Sequence, residues 1–244
     1  MFMVLESEIS VTCINFVCEG QSPGSRYGLS LTHVKPNLVL FGGNNGQVPL
    51  NDVWILNLEQ RPFIWKKVEV TGALKPDPRA YHSAALFVQN RATSTIAIFG
   101  GRSQYKRAMK DTWGLRSHSD GRWDWVKAPY DKESEQPSSR YQHSLFFFGT
   151  LMFVYGGRGD SPNKQLNLDV YQSDTSKWFK YKCEQRFRHG TWFFDSDLYV
   201  FAGFSPPNVN EPVSSLIKID LALLLTDNSD FLKIIIEHLI TLNS

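Results

Sequence analysis

The sequence predicts an all-β fold, a β-propeller of about four recognisable four-stranded blades, and three observations predict it. One pattern recurs along the chain. Its fullest copy runs Ser139-Arg140-Tyr141-Gln142-His143-Ser144, an apolar stretch, Tyr155-Gly156-Gly157-Arg158, Asp169-Val170-Tyr171 and Trp178. Earlier copies read Arg79-Ala80-Tyr81-His82-Ser83, Phe99-Gly100-Gly101-Arg102, Asp111-Thr112-Trp113, Trp123 and Trp125, and before that Arg26-Tyr27-Gly28, Phe41-Gly42-Gly43, Asp52-Val53-Trp54 and Trp65. A weaker fourth copy has Arg188-His189-Gly190, Phe201-Ala202-Gly203 and Ser215 to Asp220. The second observation is the period: the copies step by about 58, 56 and 46 residues, in the range of propeller repeats. The third is that each copy divides into short β-rich runs. Four short strands cannot bury both of their faces alone, so the copies must stack radially.

The elements follow in chain order. Residues 9–17 are β-branched and partly alternating, which reads as a strand. The next segment, Cys18 to Tyr27, resembles Val70 to Tyr81 and, more loosely, the segment before Arg140. In the later copies this linker joins an outer fourth strand to the next innermost strand. Residues 9–17 are therefore expected to be an outer strand that closes the ring on the last copy, within a propeller spanning residues 1–220. The blades lie at about 26–70, 79–127, 140–183 and 188–220. Blade 1 is expected to hold strands near 28–34, 37–42, 52–58 and 64–70, and blade 2 near 81–88, 95–100, 111–115 and 123–127. Blade 3 should hold 142–148, 151–156, 169–173 and 178–183, and blade 4 should hold 189–194, 197–202 and 214–220. Turns such as Lys35-Pro36-Asn37 and Asp195-Ser196-Asp197 join the first two strands of a blade. A second possibility is that the chain is part of a larger propeller. After Asp220 the pattern changes, and residues 221–244 read as a C-terminal helical segment. Phe231, Leu232, Ile235, Leu239 and Leu242 recur at helical spacing over 229–242, although Ile234-Ile235-Ile236 equally fits a strand.

Composition narrows the function. The formal charge is +2, from 26 basic and 24 acidic residues, too balanced to imply a nucleic-acid or membrane partner. Cys13, Cys18 and Cys183 form no CxxC and no even framework, which suits free thiols in a reducing compartment. Met1 to Leu5 is followed at once by Glu6 and Glu8, unlike a signal peptide, and the apolar run Leu221 to Leu225 is too short to span a bilayer. A cytoplasmic or nuclear protein is expected. Aromatics make up 14% of residues and recur at fixed repeat positions, as packing between sheets requires.

The repeated residues divide into frame and candidate site. The glycine pairs end strand 2, where positive φ and close backbone approach are needed. Asp52, Asp111 and Asp169 are expected to accept hydrogen bonds from backbone or arginine, and His82, His143 and His189 to be structural. Arg26, Arg79, Arg140 and Arg188 stand at the entrance of each innermost strand. Together they suggest a cationic funnel for carboxylate or phosphate; singly, each is expected to pair with an Asp of its own or the next blade. Asn44, Arg102 and Arg158 follow the glycine pairs on loops that differ between blades, with Phe204 at the matching place in blade 4. Variation on a fixed frame is where binding is usually carried, so these residues join the arginines as candidate partner-binding residues. No catalytic site, metal site or cofactor is expected: there is no G-x-S-x-G, H-E-x-x-H, P-loop or Cys/His cluster.

These repeats resemble the kelch signature. The likeness narrows over about residues 20–175. There the chain carries Asn45-Gly46-Gln47-Val48-Pro49-Leu50-Asn51-Asp52-Val53-Trp54, Arg61-Pro62-Phe63-Ile64-Trp65 and Thr112-Trp113-Gly114-Leu115-Arg116. These are followed by His118 to Trp125, Ala128-Pro129 and Pro137 to His143. In this order they are similar to the N-terminal kelch region of the Kelch-type serine/threonine protein phosphatases of plant brassinosteroid signalling and of protist parasites. The resemblance implies a regulatory or substrate-docking region preceding a two-metal phosphatase domain, whose GDxHG, GDxxDRG and GNHE segments are missing from these 244 residues. It further implies that the arginine before strand 1, here Arg26, Arg79, Arg140 and Arg188, can line a pocket for acidic or phosphorylated peptides. The expected partner is thus a protein: such a peptide segment, or a phosphatase catalytic domain. A propeller-based enzyme and a cytoskeletal or ubiquitin-adaptor scaffold are the alternatives.

Overall fold

The computed structural model of the chain describes residues 18–88, 94–161, 165–194 and 197–226. It is nearly all β, with four blades arranged as a β-propeller. Blade 1 contains β1 (Ser30–Val34), β2 (Asn37–Phe41), β3 (Val53–Asn57) and β4 (Trp65–Lys67). Blade 2 contains β5 (Ser83–Val88), β6 (Ser94–Phe99), β7 (Thr112–Ser117) and β8 (Trp123–Lys127). Blade 3 contains β9 (Ser144–Phe148), β10 (Leu151–Tyr155), β11 (Leu168–Gln172) and β12 (Lys177–Tyr181). Each is an antiparallel meander in sequence order, and the innermost strands sit side by side, β1 beside β5 and β5 beside β9.

Blade 4 departs from this plan. Among the described residues its sheet has three strands, β13 (Gly190–Phe194), β14 (Asp197–Phe201) and β17 (Leu216–Asp220). Between β14 and β17 the chain makes a separate hairpin, β15 (Phe204–Ser205) with β16 (Asn208–Pro212), that the sequence reading did not anticipate. A short helix, α1 (Leu221–Thr226), follows β17 and packs on β14, with Leu221 buried in the core between blades 3 and 4. The predicted strand over 9–17, its ring-closing role, and the predicted helix over 229–242 lie outside the described residues.

Period-2 alternation gives every blade two apolar faces, one for each neighbour. Val39 and Phe41 of blade 1 meet Ile96, Ile98, Trp113 and Trp125 of blade 2. Ala97 and Phe99 of blade 2 meet Met152, Val154, Tyr171 and Trp178 of blade 3. Phe148, Phe153 and Tyr155 of blade 3 meet Leu198 and Val200 of blade 4, with Phe193 and Ile217 packed alongside. Thus the large aromatics fill the space between blades, as their repeat positions predict.

The linkers also repeat. Glu19 N–H donates to the Phe63 carbonyl at 2.9 Å, and Thr71 N–H donates to the Trp123 carbonyl at 2.9 Å. Asp131 N–H does the same to Ser176 at 2.8 Å. Each linker is therefore pinned to the outer edge of the blade it enters. The likeness between Cys18–Tyr27 and Val70–Tyr81 thus corresponds to a shared path over the sheet edge.

Candidate functional site

Three of the four arginines at the strand-1 entrances are internal braces. Arg26 donates to both carboxylate oxygens of Asp52, at 2.6 and 3.2 Å, and to the Gly42 carbonyl at 3.1 Å. Arg79 forms a bidentate pair with Asp111, at 2.9 and 2.8 Å, and donates to the Gly100 and Asp77 carbonyls. Arg140 pairs with Asp169 and donates to the Ser138, Gly156 and Asn167 carbonyls. The side chains of Arg79 and Arg140 are fully buried, and that of Arg26 is 5% exposed. A guanidinium has five donors in a fixed fork, and here they are directed at carbonyls and a carboxylate within the same blade. The funnel expected from these residues is corrected accordingly, because their charged heads point inward.

The aspartates complete the brace. Asp52 and Asp111 also accept a hydrogen bond from the indole N–H of Trp54 and Trp113, each at 2.6 Å. Burial pushes both carboxyls up. The hydrogen bonds from arginine and tryptophan, with the arginine charge, outweigh it and hold both below the usual carboxylate value. Asp169 is fully buried, and there burial prevails over the Arg140 charge and pushes its carboxyl up.

The fourth arginine is corrected in position. Phe187 N–H bonds the Phe204 carbonyl as Tyr141 bonds Arg158, Ala80 bonds Arg102 and Tyr27 bonds Asn44. This register makes Arg186, not Arg188, the counterpart of Arg140. Arg186 is buried and donates to the Ser215 hydroxyl at 2.9 Å and to Glu184 at 2.5 Å, since strand β17 brings no aspartate there. Arg188 is exposed and stands at a left-handed position, φ +52°, matched by Gln142 and Tyr81 at +58°. The sequence reading was two residues out because Arg186-Phe187-Arg188-His189 offers two arginines on either side of an aromatic.

The glycine pairs and histidines interlock adjacent blades. At Gly100, φ is +62° and a Cβ would lie 2.6 Å from the Arg140 carbonyl oxygen and 3.0 Å from His143 Cε1, both on the next blade. At Gly101 a Cβ would lie 2.9 Å from the Cβ of His82 in the same blade. The first glycine therefore admits the neighbouring blade and the second admits its own innermost strand. His82 Nε2 lies 2.9 Å from Ser30 Oγ, and His189 Nε2 lies 3.0 Å from Ser144 Oγ, each one blade back. Burial depresses His82 to about 3 and His189 to about 4, and drives His143 well below the usual imidazole value. All three rings are neutral structural posts. Among the described residues, no cluster of three His, Cys, Asp or Glu side chains is placed to hold a metal.

What remains open to a partner is the rim above these braces. Arg102 follows the second glycine, bridges Ala80 and Ala108, and holds its guanidinium 5.3 Å over the Tyr141 ring. Arg158 lies 4.7 Å over Phe187 and 6.0 Å over Tyr141. Both are half-buried, and among the described residues neither has a carboxylate partner. Tyr27, Tyr81 and Tyr141 form a row, with ring centroids 5.8 and 6.5 Å apart. Beside this row, between the rim loops of blades 1 and 2, opens a groove of 580 Å³ lined by Tyr27, Asn44, Val48, Tyr81, Arg102 and Tyr105. Asn44 sits in its wall with its side chain turned back onto Gly46 N–H at 2.7 Å.

The structure thus brings Asn44 and Arg102 to one groove, places Arg158 a blade further on, and removes Arg26, Arg79 and Arg140 to the interior. Sequence reasoning missed Tyr27, Tyr81 and Tyr141. Their signal was the tyrosine one or two residues after each of Arg26, Arg79 and Arg140, part of the repeat to which no role was assigned. Arg102 Nε donates to the Lys106 carbonyl at 3.3 Å, and an aromatic row edged by guanidinium groups that have no carboxylate partner among the described residues suits a ligand with negative charge and flat or apolar groups.

Comparison with known proteins follows the repeat. Residues 2–132 match a family model described as the KLHDC2/KLHL20/DRC7 Kelch-repeats domain. Over 142 residues, 58% of the chain, the sequence is 37% identical to the serine/threonine-protein phosphatase BSL2 of Arabidopsis thaliana, covering 13% of that protein. It is 32% identical over 169 residues, 66% of the chain, to Adagio protein 3 of the same plant, covering 26% of it. It is 30% identical over 148 residues to the dynein alpha chain of the flagellar outer arm of Chlamydomonas reinhardtii, covering 3% of that chain. The chain therefore spans about a quarter or less of the length of these relatives.

Proposed function

The chain belongs to the kelch-repeat family, and from that premise we propose that it is a protein-docking module that performs no chemistry itself. Its docking site is the rim, from the groove between blades 1 and 2 along the tyrosine row to Arg158 on blade 3, and its ligand is an acidic or phosphorylated peptide segment. The observation that carries this reading is the pair Arg102 and Arg158. Arg102 lies over Tyr141 of the row and Arg158 over Phe187 and, at 6.0 Å, over Tyr141, both without a carboxylate partner among the described residues, while the equivalent braces one layer down are saturated. Paired, buried arginines hold a fold, whereas a half-exposed guanidinium over an aromatic face keeps donors for an incoming anion.

The 37% identity to a kelch-containing serine/threonine phosphatase supports a finer reading. The module regulates or targets such a phosphatase, in the cytoplasm or nucleus, by presenting it with phosphorylated protein. Affinity capture from lysate, with wild type beside the Arg102→Ala/Arg158→Ala double variant, tests both levels. Recovery of serine/threonine phosphatase activity or phosphoprotein by wild type alone is expected. Equal recovery by both would move the site off the rim, and phosphatase activity in the purified chain would overturn the non-enzymatic reading.

A further inference from the structure

The two rim arginines stand on different blades, yet both reach Tyr141. Arg158 is placed there by the backbone: Tyr141 and Arg158 exchange hydrogen bonds at 2.9 and 2.8 Å, and Gly159 carries the chain on to Asp160. Arg102 is bonded instead to Ala80 of its own blade, and its guanidinium crosses the blade junction to lie 5.3 Å over the Tyr141 ring. A long arginine side chain on a rim loop carries much rotamer freedom. Its position over Tyr141 therefore depends on what holds the loop.

The loop is held from blade 3. Ser103 N–H donates to the Arg107 carbonyl at 3.0 Å, and Met109 N–H donates to the Gly101 carbonyl at 2.9 Å. Between these two bonds Arg102 and Ala108 face each other as a non-hydrogen-bonded antiparallel pair. The Ala108 N–H consequently points out of the hairpin, and Asp160 Oδ1 accepts it at 2.7 Å. A circuit closes: Tyr141 to Arg158 by backbone, Asp160 to Ala108 by side chain, Ala108 across to Arg102, and Arg102 back over Tyr141.

The matching position in the other blades, three residues before the strand-3 aspartate, shows what is particular here. In blade 1 it is Pro49, which has no N–H to give. That rim loop is braced from within, by Asn45 Oδ1 on the Gln47 and Val48 amides. In blade 3 the position is Leu166, whose N–H goes to Gln185 Oε1 at 3.0 Å. Gln185 is buried and also donates to the Gly157 carbonyl, so that link belongs to the frame. Asp160, by contrast, is exposed, and among the described residues its carboxylate pairs with no cation. It stands two residues from Arg158 and one hairpin rung from Arg102, with an oxygen engaged by the Ala108 amide and neither guanidinium neutralised.

We propose that Asp160 is a positioning residue of the rim site, which ties the Arg102 hairpin to blade 3 and so sets Arg102 and Arg158 as one seat for an anion at Tyr141. The inference rests on the docking reading above. Oδ1 acts as a hydrogen-bond acceptor rather than as a charge, so asparagine can replace the aspartate and alanine cannot. The negative charge itself opposes an incoming anion, since like charges repel.

Calorimetric titration of the full chain with a phosphoserine-containing acidic peptide tests this, together with amide hydrogen exchange at Ala108. Asp160→Ala is expected to weaken binding about three- to tenfold, the worth of holding one long side chain in place, at an unchanged thermal midpoint. Asp160→Asn is expected to bind as tightly as wild type or a few-fold tighter. The Ala108 amide should be protected in wild type and in Asp160→Asn, and should exchange freely in Asp160→Ala. Unchanged peptide binding in Asp160→Ala, or equal weakening in Asp160→Asn, overturns the positioning role while the docking reading stands. An unprotected Ala108 amide in wild type does the same. No saturable binding to wild type overturns the docking reading itself, and the role of Asp160 with it.

Discussion

Replacing Gly100 by alanine adds one methyl group at the junction where blade 2 receives blade 3. Its Cβ would stand 2.6 Å from the Arg140 carbonyl oxygen and 3.0 Å from the His143 ring, and neither neighbour is the free end of a flexible side chain. The backbone at φ +62° adds about 1 kcal/mol of strain for a residue with a Cβ. Forcing the two blades apart adds about 1–3 kcal/mol of overpacking. The sum is about 2–4 kcal/mol, which for a chain of this size lowers Tm by roughly 4–16 °C. The converse change, Ala202→Gly, relieves a similar φ of +60° where no described blade follows. It is expected to leave Tm unchanged or to raise it by a few degrees. Thermal unfolding followed by circular dichroism reads both. A Gly100→Ala variant as stable as wild type, or an Ala202→Gly variant that loses as much, would refute the interlock.

The remaining predictions concern braces, histidines and rim. Arg79→Ala leaves Asp111 without its bidentate partner in a largely buried setting and should cost about 3–5 kcal/mol in urea unfolding. Arg102→Ala with Arg158→Ala should stay within about 1 kcal/mol of wild type, because neither side chain bridges a carboxylate. A large loss in that double variant would make the rim arginines part of the frame. Folded-state values of about 3 for His82 and about 4 for His189 lie below the ordinary 6.5. The unfolded chain therefore takes up protons first, and stability falls as pH drops from 6.5 towards 4. At pH 4.5 the loss is about 2–3 kcal/mol for each of the two rings. His82→Gln should flatten that slope, and a pH-independent midpoint between 7 and 4.5 would contradict neutral buried rings.

The frame was legible in the sequence because each repeat must solve the same packing problem. Gly42-Gly43, Gly100-Gly101 and Gly156-Gly157 fix the junctions, and the tryptophans fix the space between sheets. The pairing of Asp52, Asp111 and Asp169 with arginine was legible too, since a carboxylate repeating in step with a guanidinium has few other uses. The site was less legible. Burial decides whether an arginine braces or binds, and sequence position alone left Arg79 and Arg102 equally eligible. The fourth copy hid its register because Ser215 replaces the aspartate, so nothing in the composition told Arg186 from Arg188. The hairpin over Phe204–Pro212 was missed because its strands carry few alternating apolar residues and pair only with each other.

The central claim, that the rim above the braces is a peptide-docking site, is tested most directly by NMR titration. Arginine side-chain Nε–Hε and tyrosine ring signals would be followed while a phosphoserine-containing acidic peptide is added. Saturable shifts at Arg102, Arg158, Tyr81 and Tyr141, with Arg79 and Arg140 unmoved, are the predicted result. Shifts at neither rim arginine, or shifts confined to other faces of the blades, would contradict it.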